Sequence, residues 1–416
     1  MSFVKNILAK INIGKEEIAL IENFISLSLL RGLEMLLPLV TFPYLVRILG
    51  LEKYGLIALA TALAMYFSAV IQYGFNVTSV REIARNKENI EMVSKIFSLS
   101  VTISAILFLI SLIIVSIIIS LFDKFSADVW LYIISFLWLS CQAFLPLWFF
   151  SGLEKLKFIA VVNVLTKLGT AACIFTFIGR PEDYILVPLL NLIFCLVSLV
   201  VAFFVIVKKF SVTYRLPSSK ELKHYMTEGS HAFISQVAPT LYNNSSVFVL
   251  GVYASPSVVG VYSAALRLID VFATLGAILS SVFLPYLARK RERISLFNKW
   301  MLVTGVCLAV FCFAGSDILV GILFSQGNMV VASYVDYLAI SIPALFAIYA
   351  FGTNSLMLAG QDKLVKNVAL YTSLSFFIIG VLVIPLLGIT GSCLTIVGAR
   401  LTMALSYIFF YKSRFA

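Results

Sequence analysis

Residues 28–38 read Ser-Leu-Leu-Arg-Gly-Leu-Glu-Met-Leu-Leu-Pro, an apolar run with Arg31 and Glu34 set inside it. A charged side chain in hydrocarbon costs about 2.5–3.5 kcal/mol even on a lenient insertion scale. Whether these two charges meet lipid, one another or water decides what kind of molecule the chain makes.

The sequence on either side removes the soluble option. Of 416 residues, 61% are hydrophobic and 12% charged, with a mean hydropathy of +1.03. Soluble domains are about half apolar and a quarter charged, so this is an all-α polytopic membrane protein. Its apolar runs recur along the whole length, and about 20 helical residues cross a ~30 Å hydrocarbon core. Twelve spans are predicted, at 22–48, 54–78, 96–121, 129–150, 158–179, 184–207, 228–252, 257–285, 299–318, 333–357, 365–386 and 390–411. The longest polar gap, Lys208 to Lys223, is a loop rather than a soluble domain.

Between spans, lysine and arginine fall almost entirely on one side. The N-terminus, loops 79–95, 151–157, 208–227, 286–299 and 358–366, and the C-terminus carry twenty-three basic residues. The opposite loops carry three, Lys53, Lys124 and Arg180. The positive-inside rule then puts both termini in the cytoplasm. The net charge of +11 reports this topology and an affinity for anionic lipid heads, not nucleic acid. Phe3, Val4, Ile7, Leu8 and Ile11 at helical spacing among Lys5, Lys10 and Lys15 fit either a helix lying on the membrane surface or a cytoplasmic tail.

The chain also resembles itself at an offset of a little over 200 residues. Phe24-Ile-Ser26 recurs as Phe233-Ile-Ser235, Gly55-Leu-Ile-Ala-Leu-Ala60 as Gly260-Val-Tyr-Ser-Ala-Ala265, and Gly152-Leu-Glu-Lys-Leu156 as Gly360-Gln-Asp-Lys-Leu364. The pattern predicts two six-helix bundles, 22–207 and 228–411. They are flanked by an N-terminal segment 1–21 and a tail 412–416 and joined by a cytoplasmic linker 208–227. An even number of spans per copy relates the bundles by a pseudo-twofold axis along the membrane normal, with a cavity at their junction.

Charges inside the spans then become candidates for a site. Arg31 and Glu34 are three apart on one helix face, and Arg267 and Asp270 repeat the spacing. Each pair could neutralise itself and join helices, but Lys167 and Arg400 have no acid at helical spacing. The census leaves a cationic interior suited to an anionic passenger, and arginine's fork of donors matches phosphate oxygens. Arg47, at a span end, could snorkel to the interface. Tyr44, Tyr73, Tyr242 and Tyr262 could stack on sugar rings or belong to an interfacial belt. Gln72, Asn76, Asn243 and Asn244 could bind hydroxyl groups or join helices. The six cysteines sit in apolar runs without metal-ligand spacing and read as small hydrophobes. The two histidines, His224 and His231, lie together near one end of span 7, and no nucleophile–base constellation stands out, so catalysis is not expected.

The run Leu36-Leu-Pro-Leu-Val-Thr-Phe-Pro-Tyr-Leu-Val-Arg-Ile-Leu-Gly50, with Glu52-Lys-Tyr-Gly-Leu56, Gln72-Tyr-Gly-Phe-Asn76 and Arg81-Glu-Ile-Ala84, resembles the N-terminal signature of Wzx-type O-antigen flippases. These form the polysaccharide-transporter branch of the superfamily that also holds MATE exporters and lipid II flippases. The resemblance implies a MATE-like inner-membrane transporter of twelve helices. By alternating access it would carry an undecaprenyl-diphosphate-linked oligosaccharide to the periplasmic leaflet. An O-antigen polymerase and a chain-length regulator would be partners. It implies no cofactor and leaves proton, sodium or no coupling open, with Glu34, Asp270 or His231 as proton carriers. The alternative on the same fold is a MATE-type exporter of small organic cations, which calls for an acidic, aromatic site. The residues expected to bind substrate are Arg31, Glu34, Lys167, Arg267, Asp270, Arg400, Tyr44, Asn243 and Asn244.

Overall fold

The computed structural model describes residues 15–324 and 330–415, with side chains from Val40 onward except Lys157, Ser235, Ala238, Pro239, Tyr242 and Asn243. The chain is helical almost throughout. In order come α1 (Lys15–Gln72), α2 (Thr78–Arg85), α3 (Ile90–Leu121), α4 (Asp123–Ser126), α5 (Val129–Phe144), α6 (Leu147–Gly152) and α7 (Leu156–Phe177). After a 3₁₀ turn (Pro181–Ile185) follow α8 (Leu186–Lys209), α9 (Ser219–Tyr253) and α10 (Pro256–Arg289). A second 3₁₀ turn (Arg291–Arg293) leads to α11 (Ile294–Phe324), α12 (Val330–Ala339), α13 (Ile342–Ala347), a π-helical stretch (Ile348–Met357) and α14 (Asp362–Phe415). Among the described residues, nine helical segments are long and apolar enough to cross a membrane.

Two of the helices are too long to be single crossings. At 1.5 Å per residue, the 58 residues of α1 would extend about 87 Å, nearly three hydrocarbon cores. It breaks at Gly50, whose φ of 73° and ψ of 166° a side chain would strain. The 54-residue α14 breaks in the same way at Gly388, with φ 57°. Both breaks fall between predicted spans. Of the predicted N-terminal segment 1–21, residues 15–21 begin α1, and 1–14 lie outside the described residues.

The face opposite the basic loops is closed by contacts of unusual intimacy. A methyl group on Gly55 would lie 1.9 Å from the Pro256 carbonyl oxygen, and one on Gly260 would lie 1.8 Å from that of Leu51. The second arm of α1 and the start of α10 therefore touch backbone to backbone, each glycine facing the carbonyl of the residue one turn before the other. Two cations reinforce the closure by capping helix ends. Lys124 Nζ donates to the carbonyls of Val252 (3.1 Å) and Ala254 (2.5 Å) at the end of α9. Arg47 donates through Nε to Leu323 (2.8 Å) and through its terminal nitrogen to Ile322, at the end of α11. Arg47 thus does more than snorkel: it holds a helix that arrives some 280 residues later in the chain. Lys53 lies over the Tyr184 ring, 4.5 Å from its centroid.

On the basic face, the expected linker is extended only between Phe210 and Ser218 and lies along α3. There Thr213 N–H donates to Ser94 Oγ (3.2 Å) and Arg215 N–H to Ser98 Oγ (3.1 Å). Ser218 and Glu221 form a capping box that starts α9, and Glu221 also meets Lys95 of α3 at 2.7 Å. The turn after α1 abuts α9 nearby: Tyr73 stacks on Phe233 with centroids 4.7 Å apart and donates to the Met226 carbonyl at 3.0 Å. Between α10, α11 and the π-helical stretch, four buried polar residues satisfy one another. Asn354 donates to the Ser280 carbonyl (2.9 Å) and Asn298 to Ser355 Oγ (2.9 Å). Of the cysteines, Cys141, Cys195, Cys312 and Cys393 are buried as expected, Cys173 is half-buried and Cys307 is exposed.

Gly260→Ala should destabilise the protein by about 1–3 kcal/mol, because backbone must move to admit the methyl group. Gly321→Ala, with open space around it, should cost nothing or stabilise slightly. Thermal unfolding in detergent compares the two. The ammonium of Lys95, with the capping hydrogen bonds from Ser218, holds the Glu221 carboxyl far below its ordinary range, at about 2. Its contribution is therefore fully present above the unfolded value of about 4.3 and is lost progressively as pH falls from there to about 2. Hydrogen exchange at residues 219–223, corrected for intrinsic rates, should show equal protection at pH 7 and pH 5. Glu221→Gln should lose that protection at both.

Candidate functional site

Three of the candidate charges meet in the membrane where α10 faces α14. Arg400 projects from α14 and is only 5% exposed. One of its terminal nitrogens donates to Ser341 Oγ (3.0 Å), the other to Asp270 Oδ1 of α10 (3.4 Å), and its buried Nε has no hydrogen-bond partner. Asp270 remains 39% exposed in its side chain, so the acid that balances Arg400 is also open on one side. Arg267, one turn before Asp270, is half-buried on the same helix. Tyr54 of α1 lies within electrostatic reach of both Arg267 and Asp270. The cluster thus lies on α10 between α14 and the second arm of α1.

This geometry revises the charge arithmetic. By sequence spacing Arg400 had no acid, yet Asp270 supplies one from 130 residues away. Sequence spacing also passed over Asp336 on α12, whose Oδ1 is buried without a hydrogen-bond partner. Counting it lowers the net charge of the candidate interior from about +2 to about +1. What remains is a mixed cluster: a buried arginine that is paired with one acid but keeps a spare donor, a half-exposed acid, and a second arginine beside it.

The other candidates are more dispersed. Lys167 is exposed on α7, near its middle. The Tyr44 hydroxyl donates to the carbonyls of Ile178 (2.6 Å) and Phe175 (3.4 Å), closing the end of α7. Its ring packs edge-on against Phe175. Asn244 donates to the Thr240 carbonyl of its own helix at 3.1 Å. Tyr262 is fully buried and so has no face to offer a sugar. Gln72 accepts from Gln236, a contact between helices of the expected joining kind. Arg31, Glu34, Asn243 and Tyr242 lie outside the described side chains. Sequence reasoning missed Ser341, because a serine in an apolar run carries no signal until its partner is known.

The arrangement has the architecture of multi-helix membrane transporters. A multidrug resistance MATE family transporter of the MOP superfamily, in an inward-facing conformation, superimposes with a TM-score of 0.63 at 14% identity, over 91% of this chain and 98% of its own. The lipid II flippase MurJ, in an inward closed conformation, gives 0.63 at 17% identity, over 91% and 87%. The chain belongs to the family described as Polysaccharide biosynthesis protein, whose model matches residues 20–291. It is 29% identical over 252 residues to the candidate O-antigen transporter of Escherichia coli (strain K12). That match spans 60% of each chain.

Replacing Asp270 by Asn should destabilise the fold by about 3–5 kcal/mol, since a buried guanidinium would lose its counter-charge. Arg400→Met in the same chain should recover most of that loss. Thermal unfolding of the two single variants and the double variant measures the coupling.

Proposed function

We propose that this chain is a flippase. It would move an undecaprenyl-diphosphate-linked oligosaccharide of the O-antigen type from the cytoplasmic to the periplasmic leaflet by alternating access. The observation that carries the proposal is the placement of Arg267, Asp270 and Arg400 together at the junction of α1 and α10, in a chain of the polysaccharide biosynthesis family. The diphosphate and sugars cannot cross hydrocarbon unaided, whereas a polyprenyl tail can stay in lipid. Half-paired cations between helices supply the anion-binding step. Arg31, Glu34 and Lys167 would extend the same cavity.

Twelve crossings in two six-helix bundles, 22–207 and 228–411, joined by the linker 208–227, complete the proposal. The breaks at Gly50 and Gly388 add two crossings to the nine, and α9 (Ser219–Tyr253) adds the twelfth. The glycine contact supports the pseudo-twofold relation, because Leu51 and Gly55 meet Pro256 and Gly260 in matching roles and at one offset in sequence. The excess of basic loop residues supports an inner-membrane protein with both termini cytoplasmic. The tail would leave through a seam between the first arm of α1 (span 1) and α10 (span 8), away from the glycine contact of the second arm. Export of organic cations on the same fold is less well supported, since Arg400 already neutralises Asp270.

Deleting the gene should make lipid-linked repeat units accumulate on the cytoplasmic leaflet while surface polysaccharide disappears. Arg31→Glu, Arg267→Glu and Arg400→Glu should each fail to restore it at matched membrane levels. Full rescue by all three would remove the cationic cavity, and resistance to cationic dyes on overexpression would favour the exporter instead.

A further inference from the structure

At the basic end of the hairpin formed by α10 and α11 lies a groove of about 360 Å³ that the transport chemistry above does not use. Its floor is buried Leu287, Phe297 and Met301, and its walls are the more exposed Phe283, Tyr286 and Trp300. Phe283 and Phe297 are in ring contact, with centroids 5.3 Å apart. Leu279 and Thr304, at its inner end, are each ten residues from the helix ends at Arg289 and Ile294. At 1.5 Å per residue the groove therefore reaches about 15 Å inward, the depth of one leaflet's hydrocarbon. Phe283 lies about 160° around the axis of α10 from Arg267, so the groove is on the far side of that helix from the charge cluster.

The rim is cationic. Arg293 lines the groove directly, and Lys290 sits 5.9 Å from the centroid of the Tyr286 ring at its mouth. The neighbouring Arg289 and Arg291 are occupied with the carbonyls of Pro285 (3.3 Å) and Leu358 (3.4 Å). No ion pair joins Lys290 or Arg293 to an acid among the described residues, although Glu292 lies between them in sequence. Topology alone accounts for basic residues on this face, but not for an apolar recess directly beneath two of them. An apolar slot one leaflet deep beneath two available cations fits an amphiphile with an acyl chain and an anionic head.

We propose that this groove is a binding site for an anionic glycerophospholipid of the leaflet on the basic face, its phosphate held by Arg293 and Lys290. The site is separate from the substrate path, and it stands or falls independently of the flippase assignment.

Trp300 is a native reporter. In a variant with Trp130, Trp138 and Trp148 replaced by Phe, brominated phosphatidylglycerol should quench Trp300 in vesicles of otherwise plain phosphatidylcholine. Quenching should show a preference of about thirtyfold over brominated phosphatidylcholine at equal fraction, from two cations near the surface. Lys290→Glu with Arg293→Glu should abolish the preference. Equal quenching by both lipids, or a preference that survives the double reversal, would overturn the site. So would displacement of the brominated lipid by a much smaller amount of polyprenyl phosphate, which would make the groove a substrate site. Native mass spectrometry of the otherwise unaltered protein should show phosphatidylglycerol retained, and the double-reversal protein should lose it. This second readout does not depend on the tryptophan replacements folding.

Discussion

The contact between the second arm of α1 and the beginning of α10 is made by backbone, and much of the architecture follows from that. Two helices ordinarily approach to 8–10 Å because side chains hold them apart. Here Gly55 and Gly260 remove the side chains from both partners, and each glycine meets the other helix's carbonyl. Association in lipid lacks the hydrophobic drive available in water and relies on such close packing. Tyr54 stands next to Gly55, and Arg267 and Asp270 follow Gly260 by two to three turns, so the glycine crossing also sets how near α1 comes to the charge cluster.

The charge cluster shows why a membrane protein can keep an arginine almost sealed from solvent. Arg400 would be prohibitively costly alone. With Asp270 at 3.4 Å and Ser341 at 3.0 Å it is held by two partners, and its Nε is left over. A fully satisfied arginine would be inert scaffolding. One with a spare donor, beside a half-exposed acid and a second arginine, can exchange partners. On the function proposed above, that spare donor is what would separate a binding site from a structural bridge.

Legibility from sequence followed the range of the physics involved. Helices, their breaks and the basic face are local properties, written in hydropathy, glycine and the placement of lysine and arginine. They emerge from single segments. Gly55 and Gly260 were visible as matching members of a repeat, but not as surfaces that meet. The site was legible only as a set of charges, because pairing is decided across helices. Arg400 looked unpaired since its acid is on another helix, Arg47 looked interfacial since the carbonyls it caps are on another, and Asp336 was passed over near a span end. Tyr44 and Asn244 have polar groups any reader would nominate, yet both spend them on nearby carbonyls in this conformation.

The clamps at the face opposite the basic loops use cations on carbonyl oxygens where cations on acids would have been stronger. A carbonyl at the membrane surface has water as a ready substitute, so separating Lys124 from Ala254 or Arg47 from Leu323 swaps one solvating partner for another. Such an exchange changes free energy by about 1.5–3 kcal/mol per hydrogen bond from a charged donor. The seal is thus tight in geometry but moderate in energy, like a door held by a magnet rather than a bolt.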